Sequence, residues 1–310
     1  MNEFLDITPE VRAALAEGRA VVALESTIVA HGMPYPQNLA TARAVEAILR
    51  AGGAVPATIA ILDGRLKVGL AAAELERLAS AGDIAKASAR DIAYLAATGG
   101  SGATTVAATM RIAALAGIRV FVTGGIGGVH RGAATSFDVS ADLTELATSA
   151  VAVVSAGAKS ILDIGATLET LETLSVPVVA YRADEFPAFY SRASGHKAPR
   201  RLDDVRDIAR LMRATWSLGP SGGISIANPI PAEHEIPAAT IERAIAAALQ
   251  EMAARGIGGK EATPFLLTKV NEITGGVSLE ANIALIENNA RLGAEIAVAY
   301  ARLMAGLRSQ

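Results

Sequence analysis

The stretch AVAVVSAGAKSILDIG (residues 150–165) joins an unbroken apolar run to a turn of small residues around one lysine, Lys159. The run at 150–154 has no polar alternation, so it predicts a strand that is buried on both faces. Such strands occur mainly in parallel sheets that helices cover on both sides. Lys159 therefore falls just past the carboxyl end of a buried strand, which is where open α/β sheets bind ligands.

Other short apolar runs have the same character, and helical patterns separate them. The further predicted strands are AVVAL (20–24), TIAIL (58–62), RVFVT (119–123), VPVVAY (176–181) and GISIAN (223–228). The predicted helices are 240–256, stopped by Gly256; 203–216, capped by Asp203 or Asp204; and Ser278 to about Leu307. The last of these is apolar on more than one side. We therefore predict an α/β fold, a three-layer α/β/α sandwich with a mostly parallel central sheet, in a single domain over residues 1–310.

The composition limits the classes of partner. Of the 310 residues, 51% are hydrophobic and only 4% aromatic, so a sizeable core must be built from aliphatic side chains. The 28 basic and 31 acidic residues give a net charge of −3, which offers no global attraction for nucleic acid or an anionic membrane. The absence of cysteine excludes disulfides and thiolate metal sites. Without a secretory signal or an apolar stretch of roughly 20 residues, we expect a cytoplasmic protein.

Two glycine-rich fragments resemble nucleotide-binding motifs, and both fail. The fragment GAKS would need glycine before the lysine and again five residues earlier, where Ala158 and Val153 stand. The run TGGIGGVHRGAATS follows a predicted strand but has His130 where a dinucleotide fingerprint requires its third glycine. What remains is a flexible turn with His130 and Arg131. Such a turn either cradles a phosphate or only satisfies backbone geometry.

Two strand-end residues could carry chemistry. Glu25 closes the strand AVVALE and opens STIVAHGMPYPQN, a segment that its Gly and Pro predict to be a loop. Partial burial there would raise the pKa of the carboxyl towards values useful for acid catalysis, although a strand-end Glu can also be only structural. Lys159 becomes nucleophilic if desolvation or a second cation, such as Lys86, lowers its pKa; otherwise it is a solvated lysine.

Asp138 and Asp142 stand four residues apart around Ser140. Carboxylate oxygens so placed suit Mg²⁺ or Mn²⁺ held largely through water. The alternative is that Ser140 caps a helix that begins at Ala141, with Asp142 favourable in its first turn. The two roles are compatible.

The segment 182–204 mixes Pro, Gly, aromatic and charged residues between a predicted strand and a predicted helix. This composition predicts a long loop. The loop either covers a site as a lid or is an ordinary excursion at the surface.

Taken together, the motifs resemble one protein family over nearly the whole chain, from about Val21 to Ala297. They are ALESTIVAHGMPYPQN, GATTVAATM, VFVTGGIGGVHRGA, DVSADLTEL, AGAKSILDIGATLETLET, NPIP and TGGVSLEANIALIENNARLGAEIA. The sequence is similar to the pseudouridine-5′-phosphate glycosidase family, also known as the indigoidine synthase A-like family. The resemblance implies an enzyme that reversibly cleaves the C–C glycosidic bond of pseudouridine 5′-phosphate to uracil and ribose 5-phosphate, a glycosidase activity placed in the carbon–oxygen hydro-lyase class.

The resemblance also implies roles for individual residues. Lys159 matches the family lysine that forms a covalent, Schiff-base-type adduct with the ribose, and Glu25 matches the proton donor. Substrate contacts are implied for Lys86, Val106 and the segment Ser140-Ala141-Asp142. Asp138 matches the single protein ligand of a hydrated Mn²⁺, for which Mg²⁺ is an alternative.

Further implications concern the two ends of the substrate and the assembly. Thr123 and His130 suit the phosphate end, and Asn282 suits the uracil edge. Family members are homotrimers, which would explain the many-sided final helix. Many relatives carry arginine where this chain has Ala89, and this puts an auxiliary role of that position in doubt. Two alternatives stay open: a Schiff-base lyase of another phosphosugar, and a catalytically silent sugar-phosphate binding protein.

Overall fold

A computed structural model describes residues 2–82, 84–219 and 222–308, without the side chains of Lys260 and Arg308. The single domain predicted over 1–310 stays a prediction, and residues 1, 83, 220–221 and 309–310 lie outside the described part. The strands there are β1 Leu5–Ile7, β2 Val21–Leu24, β3 Val55–Leu62, β4 Arg65–Val68, β5 Ala85–Ala87, β6 Gly102–Thr104, β7 Val120–Val122, β8 Val129–His130, β9 Ala152–Ser155, β10 Leu162–Asp163, β11 Val178–Tyr181, β12 Arg201–Leu202 and β13 Ile224–Ala227.

Helices separate most of these strands. They are α1 Pro9–Ala16, α2 Thr27–His31, α3 Gln37–Ala51, α4 Ala72–Ser80, α5 Ile92–Thr98, α6 Val106–Ala116, α7 Ala133–Ser136, α8 Ala141–Thr148, α9 Ile164–Thr173, α10 Val205–Leu218, α11 Ala238–Ala254, α12 Ala262–Ile273 and α13 Val277–Arg308, with single 3₁₀ turns at Ala89–Asp91, Ala232–His234 and Gly259–Glu261. Asp204 accepts a hydrogen bond from the Arg206 amide and so is the cap of α10. None of the described helices is long and apolar enough to cross a membrane.

The central sheet has the order β1-β4-β3-β2-β7-β9-β13-β11-β12, and β6 and β5 extend it from β3. From β3 through β2 to β12 every pair is parallel, whereas β3 runs antiparallel to both β4 and β6. Five of the six predicted strands lie in the parallel part, and the sixth, 58–62, lies in β3, where Thr58 pairs in parallel with β2 and residues 59–62 pair antiparallel with β4. The predicted α/β class with a mostly parallel sheet is confirmed.

Helices cover the sheet as layers. The long helix α13 packs on β2, β7 and β9 and also against α3 and α10, while α6 packs on β2 and β3 and against α8. The apolar residues on several sides of α13 are therefore accounted for within one chain. They do not require a trimer, and the homotrimer stays a prediction.

One prediction about loops needs correction. Residues 27–31 of the segment after Glu25 form helix α2 instead of a loop, because Val29 joins a small second core with Leu39 and Leu78. The segment 182–204 is mainly irregular, as predicted, and its middle packs into the core. Phe186 and Phe189 are 0% and 1% exposed, so burial of aromatic surface holds the segment in the core.

Candidate functional site

A cavity of about 770 Å³ opens at the carboxyl ends of the parallel strands, beside β5 and β6. It brings together the residues that the sequence predicted for the site, with the exception of Thr123. These are Glu25, Lys86, Val106, Asp138, Ser140, Ala141, Asp142 and Lys159, and His130 and Asn282 also line it. Their predicted roles stay predictions, but their convergence from distant parts of the chain meets the first requirement of an active site.

Glu25 lies where strands β2 and β7 end side by side. Leu24 is opposite Val122 in the sheet, so the next residues, Glu25 and Thr123, are neighbours. The Thr123 hydroxyl donates a hydrogen bond to Glu25 Oε1. Burial raises the pKa of the Glu25 carboxyl, against the opposing effects of the Lys159 charge and of this hydrogen bond. Thr123 is therefore a hydrogen-bond donor to the Glu25 carboxyl, and it is not among the residues that line the cavity, where a phosphate would bind.

Lys159 follows β9 through a turn that depends on Gly157, whose φ is +83°. The Lys159 amide donates to the Ile126 carbonyl at 3.1 Å, which ties this turn to the loop after β7. The neighbouring small residues do not leave open space, since a Cβ on Gly157 would collide with the carbonyl of Pro187. They accommodate the segment 182–204, and that segment in turn brings Phe189 into the cavity wall.

Lys86 projects into the cavity from β5. Burial lowers the pKa of the Lys86 ammonium, and the positive charge of Lys159 lowers it further. The carboxylates of Asp142, Glu25 and Asp138 act in the opposite direction. Lys86 is therefore a second cation close to Lys159, and the pKa that burial and the neighbouring positive charge lower is that of Lys86.

Asp142 organises the backbone on the opposite wall. Its Oδ1 accepts from the Ala107 amide at 2.9 Å and its Oδ2 from the Gly127 amide at 2.7 Å. Ser140 caps α8 by accepting from the Asp142 amide, as the sequence suggested. Position 127 must be glycine, because a Cβ there would strike the Ser140 hydroxyl. Both carboxylate oxygens thus hold the starts of α6 and α8 and the loop after β7 in one arrangement.

His130 and Asp138 lie next to each other, with 3.8 Å between His130 Nδ1 and Asp138 Oδ2. Burial lowers the pKa of His130, and Asp138 opposes that shift. Arg131 does not join them. Its guanidinium pairs with Glu242 and donates to the Ser160 carbonyl at 3.1 Å, so Arg131 braces the turn after Lys159 from outside the cavity.

A metal ion could be held here only weakly. Among the described residues no three His, Cys, Asp or Glu side chains come together as a ligand set. The Asp138 side chain lines the cavity and is 37% exposed, so one carboxylate oxygen with water as the remaining ligands fits a hydrated Mn²⁺ or Mg²⁺.

Sequence reasoning missed several residues that line the cavity, among them Thr27, His31 and Phe189. Thr27 and His31 were missed because their segment was predicted to be a loop. Their position shortly after Glu25, a candidate site residue, could have indicated that they lie near the site. Asn282 Oδ1 is buried and has no hydrogen-bond partner in the described structure, which agrees with the expectation that this amide meets a ligand.

A buried pair of asparagines supports the strand ends from α13. Asn289 donates from Nδ2 to the Thr123 carbonyl at 2.9 Å and to the Gly124 carbonyl at 3.3 Å, and its Oδ1 accepts from Asn228 at 3.1 Å. Both side chains are almost completely buried. The pair fixes the backbone next to the Thr123–Glu25 hydrogen bond.

Comparison with known proteins gives consistent relatives. The family model described as indigoidine synthase A like protein matches residues 10–299. The chain is 64% identical over 302 residues to a pseudouridine-5′-phosphate glycosidase of a Nocardioides species, covering 97% of this chain and 98% of the relative. It is 59% identical over 303 residues to the protein of the same name from Deinococcus radiodurans, with 98% and 97% covered.

Two solved structures share the fold. The prealnumycin C-glycosynthase in complex with ribulose 5-phosphate superposes with a TM-score of 0.92 at 41% identity, covering 99% of this chain and 100% of that one. An indigoidine synthase A-like protein from Thermotoga maritima gives a TM-score of 0.88 at 39% identity, with 96% and 97% covered.

Proposed function

The chain belongs to the indigoidine synthase A-like family, and we propose that it is a pseudouridine-5′-phosphate glycosidase that works through a covalent lysine intermediate. The observation that carries the proposal is the meeting of Glu25 and Lys159 in one cavity, at the ends of β2 and β9, with Lys86 beside them. A carboxyl with a raised pKa can remain protonated and act as an acid. An amine next to a second cation is suited to act as a nucleophile.

The proposed reaction begins with opening of the sugar ring. Glu25 donates its proton to the ring oxygen as the bond from that oxygen to C1′ breaks, and the uracil ring supports the positive charge left on C1′. The Lys159 amine then forms a C–N bond to C1′. Two-carboxylate glycosidase chemistry does not serve here, since the leaving atom is a carbon instead of an oxygen or nitrogen.

Release of the base follows. The Glu25 carboxylate takes a proton from the new ammonium group, and the nitrogen lone pair then expels C5 of uracil as the C1′–C5 bond breaks. Glu25 returns the proton to C5, which gives uracil and an iminium ion between Lys159 and C1′. Water adds to the iminium, the C–N bond to the lysine amine breaks, and the Glu25 carboxylate takes up the proton that this hydrolysis releases, which gives ribose 5-phosphate, free Lys159 and protonated Glu25.

The phosphate end is assigned to the wall that Asp142 organises. The starts of α6 and α8 place Val106 and the segment Ser140-Ala141-Asp142 at the cavity, where backbone N–H groups favour an anion. Lys86 and His130 add side-chain donors on the same cavity. Asp138 would hold a hydrated Mn²⁺, or Mg²⁺, and the bound ion would supply further neutralisation of negative charge.

Several features belong to the same proposal and follow the family resemblance. They are the carbon–oxygen hydro-lyase class, a single catalytic domain, a homotrimer, and a cytoplasmic location. The relatives carry the glycosidase name over almost their full length, and this supports the assignment of substrate.

The experiment that tests the proposal measures uracil and ribose 5-phosphate released from pseudouridine 5′-phosphate, with and without Mn²⁺. We expect equimolar products, and borohydride should trap the pentose phosphate on Lys159, as located by peptide mass analysis. Absence of both products would refute the function. Products without trapping at Lys159 would refute the covalent mechanism alone.

A second candidate is a Schiff-base lyase that acts on another phosphosugar. It is favoured by the solved C-glycosynthase, which holds ribulose 5-phosphate on a closely similar fold. A panel of pentose and hexose phosphates separates the two candidates, because only the glycosidase requires a uracil leaving group.

A further inference from the structure

Three buried polar atoms of the cavity have no hydrogen-bond partner among the described residues: Thr27 Oγ1, His31 Nε2 and Asn282 Oδ1. A buried polar atom without a partner costs free energy of folding, so such atoms mark places where a ligand completes the hydrogen bond. Asn282 is already assigned to the uracil edge. His31 takes no part in the proposed reaction, yet its Nε2 belongs to the same cavity.

The chemical state of His31 limits what it can bind. Burial lowers the pKa of the His31 imidazole, and the charge of Lys86 lowers it further, so the ring is neutral at neutral pH. A neutral imidazole carries one N–H. The backbone carbonyls of Ala85 and Ile84 interact with the ring and attract that N–H. Because Nε2 has no hydrogen-bond partner among the described residues, we assign this N–H to Nδ1. Nε2 then carries a lone pair, which needs a hydrogen-bond donor from the ligand.

We propose that His31 Nε2 accepts the N1–H of uracil and thereby selects a uracil that is attached to ribose through carbon. This assignment rests on the proposed function. Uracil attached through C5 keeps both ring N–H groups, whereas uracil attached through N1, as in ordinary uridine nucleotides, has lost one of them. Only the carbon-linked base offers a donor at N1.

The position of His31 along the chain agrees with this role. In uracil only C6 separates N1 from C5, the atom that Glu25 must reach with a proton. Groups that address N1 and C5 must therefore come from neighbouring points of the protein. His31 ends helix α2, which begins directly after Glu25 and Ser26, so both groups are carried by one continuous short segment. Of the groups assigned to the phosphate, Ser140 and Asp142 belong to other elements, whereas Lys86 lies near enough to His31 for its charge to act on the ring.

The test compares pseudouridine 5′-phosphate with its N1-methyl derivative, in the unaltered protein and in His31→Ala and His31→Gln. For the unaltered protein, N1-methylation should lower kcat/KM about 100-fold, because a site built around a substrate N–H rejects an analogue that lacks it. His31→Ala should lower kcat/KM for the natural base about 10-fold and reduce the discrimination to within about threefold. His31→Gln offers an amide oxygen as acceptor, so it should recover part of the kcat/KM on the natural base and part of the discrimination against the N1-methyl derivative. The exposed His234→Ala is the matched control and should behave as the unaltered protein.

Four outcomes would overturn the assignment. Equal kcat/KM on both substrates in the unaltered protein refutes it while leaving the proposed function in place. Discrimination that stays unchanged in both His31 variants refutes it as well. A His31→Ala loss that disappears on dephosphorylated pseudouridine would place His31 at the phosphate instead. Absence of uracil release from pseudouridine 5′-phosphate by the unaltered protein refutes the proposed function and this assignment together.

Discussion

The parallel and antiparallel regions of the sheet meet the cavity in different ways. The parallel strands β2, β7 and β9 end together, and their carboxyl ends bring Glu25, Thr123 and Lys159 to one place. The region that antiparallel pairing joins to β3, in which β5 runs parallel to β6, instead contributes Lys86 from β5 and Val106 from the start of α6. In the proposed function the first region supplies the reacting groups and the second holds the substrate. The difference suggests a division of labour that mutations can test through separate effects on kcat and KM.

The largest effect should come from Lys159→Ala, at the end of β9. Loss of the nucleophile should lower kcat by about 10⁴-fold or more and abolish borohydride trapping. Rapid-quench or steady-state uracil release measures the rate. The exposed lysine variant Lys197→Ala serves as control and should keep full activity. If Lys159→Ala released uracil at nearly the rate of the control, Lys159 would not be the nucleophile, and the parallel region would not supply it.

The next largest effect should come from Glu25→Gln. The amide keeps the shape but cannot deliver a proton, so kcat should fall by about 10²- to 10⁴-fold while KM changes little. Steady-state kinetics on pseudouridine 5′-phosphate provides the measurement. A rise in KM with unchanged kcat would show that Glu25 only binds substrate. The parallel region would then not supply the acid.

Lys86→Met should act mainly on binding. Methionine keeps the length of the side chain without its charge, and loss of a charge-assisted contact to the phosphate should raise KM about 10-fold or more. The same change should alter kcat much less than the substitution of Lys159 does. Titration with ribose 5-phosphate reports the binding loss without chemistry. If kcat fell as far as in Lys159→Ala, the antiparallel region would take part in the reaction itself.

The smallest effect should be the pH shift caused by Thr123→Val. The Thr123 hydrogen bond stabilises the Glu25 carboxylate and so lowers the pKa of that group. Without the bond the pKa should rise, and the alkaline limb of the kcat profile, where the acid loses its proton, should move to higher pH. The acidic limb should stay in place. An alkaline limb that moved to lower pH would contradict the assignment of that limb to Glu25.

The two regions were also unequally predictable from sequence. Runs such as those at 119–123 and 150–154 are apolar without interruption, because both faces of a central parallel strand are covered, and this pattern can be recognised without a structure. The strands that pair antiparallel with β3 offer no such run, because β6 has three residues and β4 alternates Arg65, Leu66, Lys67 and Val68 between half-buried and buried positions. Such brief patterns are decided by their pairing partners, which no local stretch reveals.

The site shows the same contrast. Strand-end position alone singled out Glu25 and Lys159, since parallel strands place their carboxyl ends at one edge. The family motifs were needed for Val106 and for the expectation that Lys86 contacts substrate. Neither source could show that Arg131 turns away to Glu242, or that Thr123 binds Glu25, because these contacts join residues far apart in the chain.

The asparagine pair that links α13 to the strand ends has a consequence for protein synthesis. The ribosome makes Glu25 and Thr123 early, but the helix that carries Asn289 and Asn282 emerges last among the described elements. A nascent chain can therefore contain every reacting side chain while the backbone beside the acid still lacks its donor. The backbone beside Glu25 therefore gains these hydrogen bonds only when the final helix packs against the strand ends.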